Sequence, residues 1–136
     1  MPTEPLATLG EYVFGIDSAP YEEMRRSAEY RWAAQERIGR TPARQWLGPG
    51  EETVRLSGRI YSVRRPAAEE MKALRAEAAK GEPLLLTLGS GEVLGLWTVE
   101  RIRETGSLFL AGGTARKVEF EVELSFYGED GEVRDS

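Results

Sequence analysis

The chain has 136 residues, 18 Lys and Arg against 23 Asp and Glu, a formal net charge of −5, and neither cysteine nor histidine. That size suits one domain able to bury a core without staples. The two missing residue types exclude a disulfide framework and thiolate metal sites, and remove the side chain best suited to acid–base work near neutral pH, while the acidic balance repels nucleic acid.

Hydrophobic residues make up 40% and charged residues 30%, as in soluble globular domains. No stretch approaches the roughly 18 apolar residues of a membrane-spanning helix. Met1–Pro5 lacks the basic and apolar regions of a signal peptide, so the expected place of synthesis is a bacterial cytosol.

Residues 1–8, with two prolines and little periodicity, read as a flexible arm. Residues 9–16 read as a first strand and Asp17-Ser18-Ala19-Pro20 as a turn. Met24–Ile38 has helical composition, yet Tyr30, Trp32 and Ala34 alternate with Glu29, Arg31 and Ala33; the alternation favours a long extended segment. Residues 39–52, with Gly39, Pro42, Gly48, Pro49 and Gly50, read as a loop carrying Trp46 and Leu47.

From Thr53 onward Val54, Leu56, Gly58 and Ile60 alternate with Arg55, Ser57, Arg59 and Tyr61, which predicts a half-buried strand. Pro66, Glu69, Glu70 and Gly81 bracket a helix over Ala67–Lys80, with Met71, Leu74 and Ala78 on one face. Pro83–Leu88 reads as a strand and Gly89-Ser90-Gly91 as a hairpin turn. Val93–Arg103 reads as the next strand, with Leu94, Leu96, Thr98 and Ile102 on one side, followed by breaks at Thr105-Gly106-Ser107 and Gly112-Gly113. The last strand has the clearest pattern: Val118, Phe120, Val122, Leu124 and Phe126 alternate with Lys117, Glu119, Glu121, Glu123 and Ser125. Residues 9–127 thus form one domain and residues 128–136 a charged tail. The fold class is mainly β (α+β), with antiparallel strands packed on one helix.

No pattern of residues points to catalysis. Carboxylates at i and i+2 on the last strand share a face, but any charged sheet face does so, and no apolar pocket is evident to raise one pKa. The glycine pairs lack the lysine and hydroxyl partners of a phosphate loop. Arg25, Arg26, Arg31, Arg37, Arg40 and Arg44, interleaved with Tyr30, Trp32 and Trp46, resemble a protein interface more than a nucleic-acid groove, because glutamates share the stretch.

Several segments carry a family resemblance. They begin with Leu9-Gly10-Glu11-Tyr12-Val13-Phe14, Pro20-Tyr21, Arg31-Trp32 and Arg37-Ile38-Gly39-Arg40-Thr41-Pro42. The most specific is Gln45-Trp46-Leu47-Gly48-Pro49-Gly50-Glu51-Glu52, followed by Leu56-Ser57-Gly58 and Ile60-Tyr61. Gly95-Leu96-Trp97-Thr98-Val99-Glu100, Glu104-Thr105-Gly106-Ser107 and Ala115-Arg116-Lys117-Val118-Glu119-Phe120 complete the series. In order and spacing the chain resembles the GpU tail proteins of Peduovirus-like contractile phages, a family distinct from the lambda-like tail terminator.

The resemblance implies a structural virion protein, not an enzyme, with no cofactor or metal. It implies a tail-tube type β-barrel or sandwich with one helix, made in the bacterial host cytoplasm and incorporated in the virion tail. It further implies tail assembly near the junction of tube, tape measure and baseplate hub, through a homo-oligomeric ring, by analogy a hexamer. Expected partners are tube, tape measure, LysM-type tail protein and hub, with no membrane and no specific nucleic acid. Interface candidates are Arg37, Arg40, Arg44, Trp46, Leu47 and Glu51; lumen candidates are Glu119, Glu121 and Glu123. The alternatives are an oligomeric β-barrel binding module unrelated to phage and a carboxylate-based tail-associated glycosidase.

Overall fold

The computed structural model describes residues 5–15, 18–62 and 66–128. Its strands are β1 (Ala7–Leu9), β2 (Tyr12–Phe14), β3 (Tyr21–Arg37), β4 (Arg40–Tyr61), β5 (Leu84–Leu88), β6 (Val93–Phe109) and β7 (Ala115–Gly128), with helix α1 (Ala67–Ala78) between β4 and β5. They form one seven-stranded sheet in the order β2-β1-β5-β6-β7-β4-β3, with antiparallel pairs throughout. The mainly β, α+β class holds. The sheet does not close into a barrel; it curls so that its two ends meet through side chains, in the manner of a sandwich. The Phe14 and Tyr21 rings meet edge-on at 5.9 Å, and the Tyr21 hydroxyl donates to the Leu6 carbonyl at 3.2 Å.

The alternating pattern of the sequence sets the core. Val54, Leu56 and Ile60 of β4 and Val118, Phe120, Val122 and Leu124 of β7 are buried on one face. Each contributes roughly 1.5–3 kcal/mol when fully removed from water. Ala67, Met71 and Leu74 close that face from α1. Helix α1 starts after Pro66, whose extended φ and ψ place it at the cap, and the Ala67 N–H donates to Ser62 Oγ at 2.9 Å. The helix ends at Ala78, and Gly81, at φ +68°, turns the chain away.

Four expectations are corrected. The first strand, expected over 9–16, is a β1–β2 hairpin that begins at Ala7 and turns at Gly10, φ +60°. The expected loop over 39–52 is strand from Arg40 onward, part of β4, and only Ile38 and Gly39 separate Arg37 from its partner Arg40. The glycines and prolines of that segment are absorbed by register shifts in the pairing instead of breaking it. Thr105-Gly106-Ser107 likewise lies inside β6. Finally, the register shift at Val99/Arg101 changes which residues of β6 face the core, Gly95 and Trp97 before it and Ile102 after it, so Trp97 is fully buried while Leu96 is only partly so. Residues 1–4 and 129–136, parts of the expected arm and tail, and Asp17 of the expected turn lie outside the described residues.

Candidate functional site

Two strand pairs outrun the core. β4 pairs with β7 only from Thr53↔Ser125 to Tyr61↔Lys117. Beyond Thr53, β4 continues with β3 alone as far as the Ile38-Gly39 turn. Thirteen residues at about 3.3 Å each give an arm of roughly 40 Å. Beyond Lys117, where only Ser62 still reaches β7 (N–H to Arg116 O at 2.7 Å, Oγ to Ala115 O at 3.0 Å), β7 continues with β6 as far as a second turn, where Leu110 N–H donates to Thr114 O at 2.8 Å and Gly113 N–H to Leu110 O at 3.0 Å. Because β4 and β7 are antiparallel, the two hairpins leave opposite ends of the sheet.

All six interface candidates fall on the first arm. Arg37, Arg40, Arg44 and Glu51 are exposed, as are Trp46 and Leu47 at about half of their surface (48% and 53%). The Arg37 guanidinium caps the turn, donating to Thr41 O at 2.9 and 3.2 Å. Trp46 stacks edge-on against Trp32 at 4.9 Å and lies 6.2 Å from Tyr30. Even-numbered β3 residues share a face, so Tyr30 and Trp32 continue the side on which Met24 packs against the core. The sequence singled out Trp46 but did not join it to Trp32 and Tyr30, since that requires the register across the hairpin. The arm is further held by the Arg26–Glu52 ion pair at 2.6 Å and by a hydrogen bond that Gln35 Nε2 donates to Gln45 Oε1 at 3.1 Å.

The second tip was missed. Leu108, Phe109 and Leu110 are three consecutive exposed apolar residues, and Leu108 adopts φ +57°. Their run between Gly106 and Gly112 is the available signal in the sequence, where the glycines on either side stand out as turn punctuation.

The lumen candidates Glu119, Glu121 and Glu123 point away from the core, forming one row on β7. Their cross-strand partners are Arg59, Ser57 and Arg55 on β4 and Thr105, Arg103 and Arg101 on β6. The acid row therefore runs between two rows containing arginines, with Arg55 to Glu123 at 3.7 Å. Beside it Arg59 binds Glu22 through two bonds of 2.9 and 3.0 Å. That bond holds the Glu22 carboxyl below its ordinary value. A shallow groove of about 480 Å³ follows this face, lined by Glu22, Glu23, Arg59, Arg103, Glu119 and Glu121 among others.

Glu70 and Glu77 of α1 are buried carboxylates with structural partners. Glu70 accepts from the Tyr12 hydroxyl at 3.1 Å. Glu77 accepts from Lys80 at 2.9 Å and from the Glu11 N–H at 3.1 Å. The Lys80 ammonium, with help from that N–H, depresses the Glu77 pKa although burial opposes it; a general acid needs the reverse shift. Among the described residues no group of three or more metal-ligating side chains comes together, and no helix is long and apolar enough to cross a membrane.

The family model described as Phage P2 GpU matches residues 10–129. The chain belongs to that family. Over 122 residues, 88% of the chain, this GpU protein is 29% identical to the probable tape measure protein of Halomonas phage phiHAP-1, and spans only 14% of that relative's length. Its fold is similar to a chain in the C6-symmetric tail of an empty gene transfer agent particle, with a TM-score of 0.59, 13% identity and 92% of both chains covered. It is also similar to a chain in the native gene transfer agent virion, with a TM-score of 0.56, 16% identity and 92% of both chains covered.

Proposed function

We propose that this chain is a structural component of the phage tail and acts where tube, tape measure and baseplate hub meet, through ring-forming contacts between subunits. Membership of the GpU family makes it a phage tail protein of the virion. The position beside the tape measure is supported by one observation. In the Halomonas phage relative, a segment similar to this chain is a small part of a longer polypeptide called a probable tape measure protein. Two modules joined in one chain meet at high effective concentration; as separate chains they need matching surfaces.

Residues 9–127 act as the single tail-protein domain. Trp46 and Leu47 on the β3–β4 arm supply the apolar anchors, and Arg37, Arg40, Arg44 and Glu51 the charged rim. Aromatic anchors of this kind dominate interface energy, with truncation costing about 2 kcal/mol or more. Glu119, Glu121 and Glu123 face the lumen, where the neighbouring arginines balance their charge and keep the wall hydrated without attracting DNA strongly. The proposed ring is a hexamer, the symmetry of the tail in which a similar fold is found. Partners are the tube, tape measure, LysM-type tail protein and hub.

The reading is tested by removing the gene and imaging the particles by electron microscopy. Tails should be missing or of irregular length, and supplying the chain in trans should restore them. Infectious particles with tails of normal length and structure would reject the role.

A further inference from the structure

Twelve large apolar side chains are exposed among the described residues; five lie on the β3–β4 arm and three at the β6–β7 tip. The exposed apolar surface is therefore concentrated at opposite ends of one sheet, where a subunit cannot cover one patch with the other. The two patches differ in shape. Tyr30, Trp32 and Trp46 offer ring faces on an extended two-stranded platform. Leu108, Phe109 and Leu110 form a narrow knob. The tip lies beyond the core, so side chains on both faces of the hairpin are exposed, and the chain turns there through the left-handed backbone of Leu108. The Phe109 ring lies over Gly106, where an added Cβ would stand 3.3 Å from it, so the knob has a defined form.

We infer that the Leu108–Leu110 tip of one copy seats on the Tyr30, Trp32 and Trp46 platform of the next copy, head to tail. The inference rests on the proposed ring-forming role and names its contact. A head-to-tail contact uses each patch once per subunit and closes by rotation, leaving neither in water. The area fits as well. The four aromatic side chains, of about 150–250 Å² each, and the two leucines, all roughly half exposed, bring on the order of 700 Å², so the flanking strands must supply the rest of the roughly 1,000 Å² that a specific contact needs. That is the lower bound of a specific interface, so single contacts are weak and a closed set is stable.

Two variants test the contact: Phe109→Asp at the tip and the double change Trp32→Ser with Trp46→Ser on the platform. All three sites are exposed, and circular dichroism with thermal unfolding verifies that both variants fold. In sedimentation velocity the wild type should form larger species as concentration rises, and each variant alone should stay a monomer. An equimolar mixture, taken to high concentration because a single contact is weak, should yield a one-to-one dimer and nothing larger, since only one intact tip and one intact platform remain to pair. Either variant assembling by itself, a mixture that does not pair, or a wild type that stays monomeric throughout would overturn the inference. The tail role fails separately: a chain absent from purified particles would sink that role whatever the mixing experiment gives.

Discussion

Trp32 and Trp46 face each other across the β3–β4 arm, ring centroids 4.9 Å apart and planes inclined at 61°, beyond the last pairing of β4 with β7 at Thr53 and Ser125. The contact therefore stiffens an arm and contributes nothing to the core. Replacing Trp46 by alanine should lower global stability by only about 0.5–1.5 kcal/mol, the usual worth of an aromatic pair. Tail assembly should nevertheless be lost, because the same side chain is the proposed interface anchor. Urea unfolding and an assembly assay on the same preparation separate the two effects.

Gly10 and Glu77 form a second tight relationship. A Cβ at Gly10 would overlap the Glu77 carboxylate, and φ at Gly10 is +60°. Replacing Gly10 by alanine should cost about 2 kcal/mol or more, from the left-handed backbone and from displacing a buried, hydrogen-bonded carboxylate. The unfolding midpoint in urea should fall accordingly with an unchanged slope.

The same clamp sets a pH window. Lys80 holds the Glu77 carboxyl below its ordinary 4.5, so the stability it adds is complete above that value and is lost as pH falls through the folded pKa. Glu77 in turn holds the Lys80 ammonium above its ordinary 10.5, so that contribution is complete below 10.5 and lost as pH rises through the folded pKa. The thermal midpoint should be flat between about pH 5 and pH 10 and decline on both sides. Glu77→Gln should lower the plateau and flatten both declines.

The row of Glu119, Glu121 and Glu123 is a surface feature, and its ion pairs are partly solvated. Changing all three to glutamine should alter stability by less than about 1 kcal/mol. If the row lines the passage, DNA ejection or tape-measure packing should change while the protein stays folded. Particles ejecting DNA at the normal rate would return these residues to an ordinary solvated face.

The sequence was most informative where one face of an element packs on the core. The alternation in β7, the helix between Pro66 and Gly81, and the inward set Val54, Leu56 and Ile60 all appear in the fold as expected. It was least informative where pairing overrides local signals. Pro42, Gly48, Pro49 and Gly50 look like a loop, yet β3 supplies a partner strand along their length, and bulges accommodate them. Trp97 was not assigned to the core because a register shift cannot be seen in one strand alone. Glu77 was passed over for Ala78 on the helix stripe, since its partners Glu11 and Lys80 come from a distant hairpin and the helix exit. The interface candidates all lie along the one arm, while the tip at Leu108–Leu110 is hidden in the sequence by the glycines on either side.

The proposed function has this chain built into the tail against the tape measure. Chemical cross-linking of purified particles, read by mass spectrometry, tests it most directly. Cross-links are expected from this chain to the tape measure protein and to further copies of itself. Particles that contain the chain but give cross-links to neither, under conditions that link other tail proteins, would contradict it.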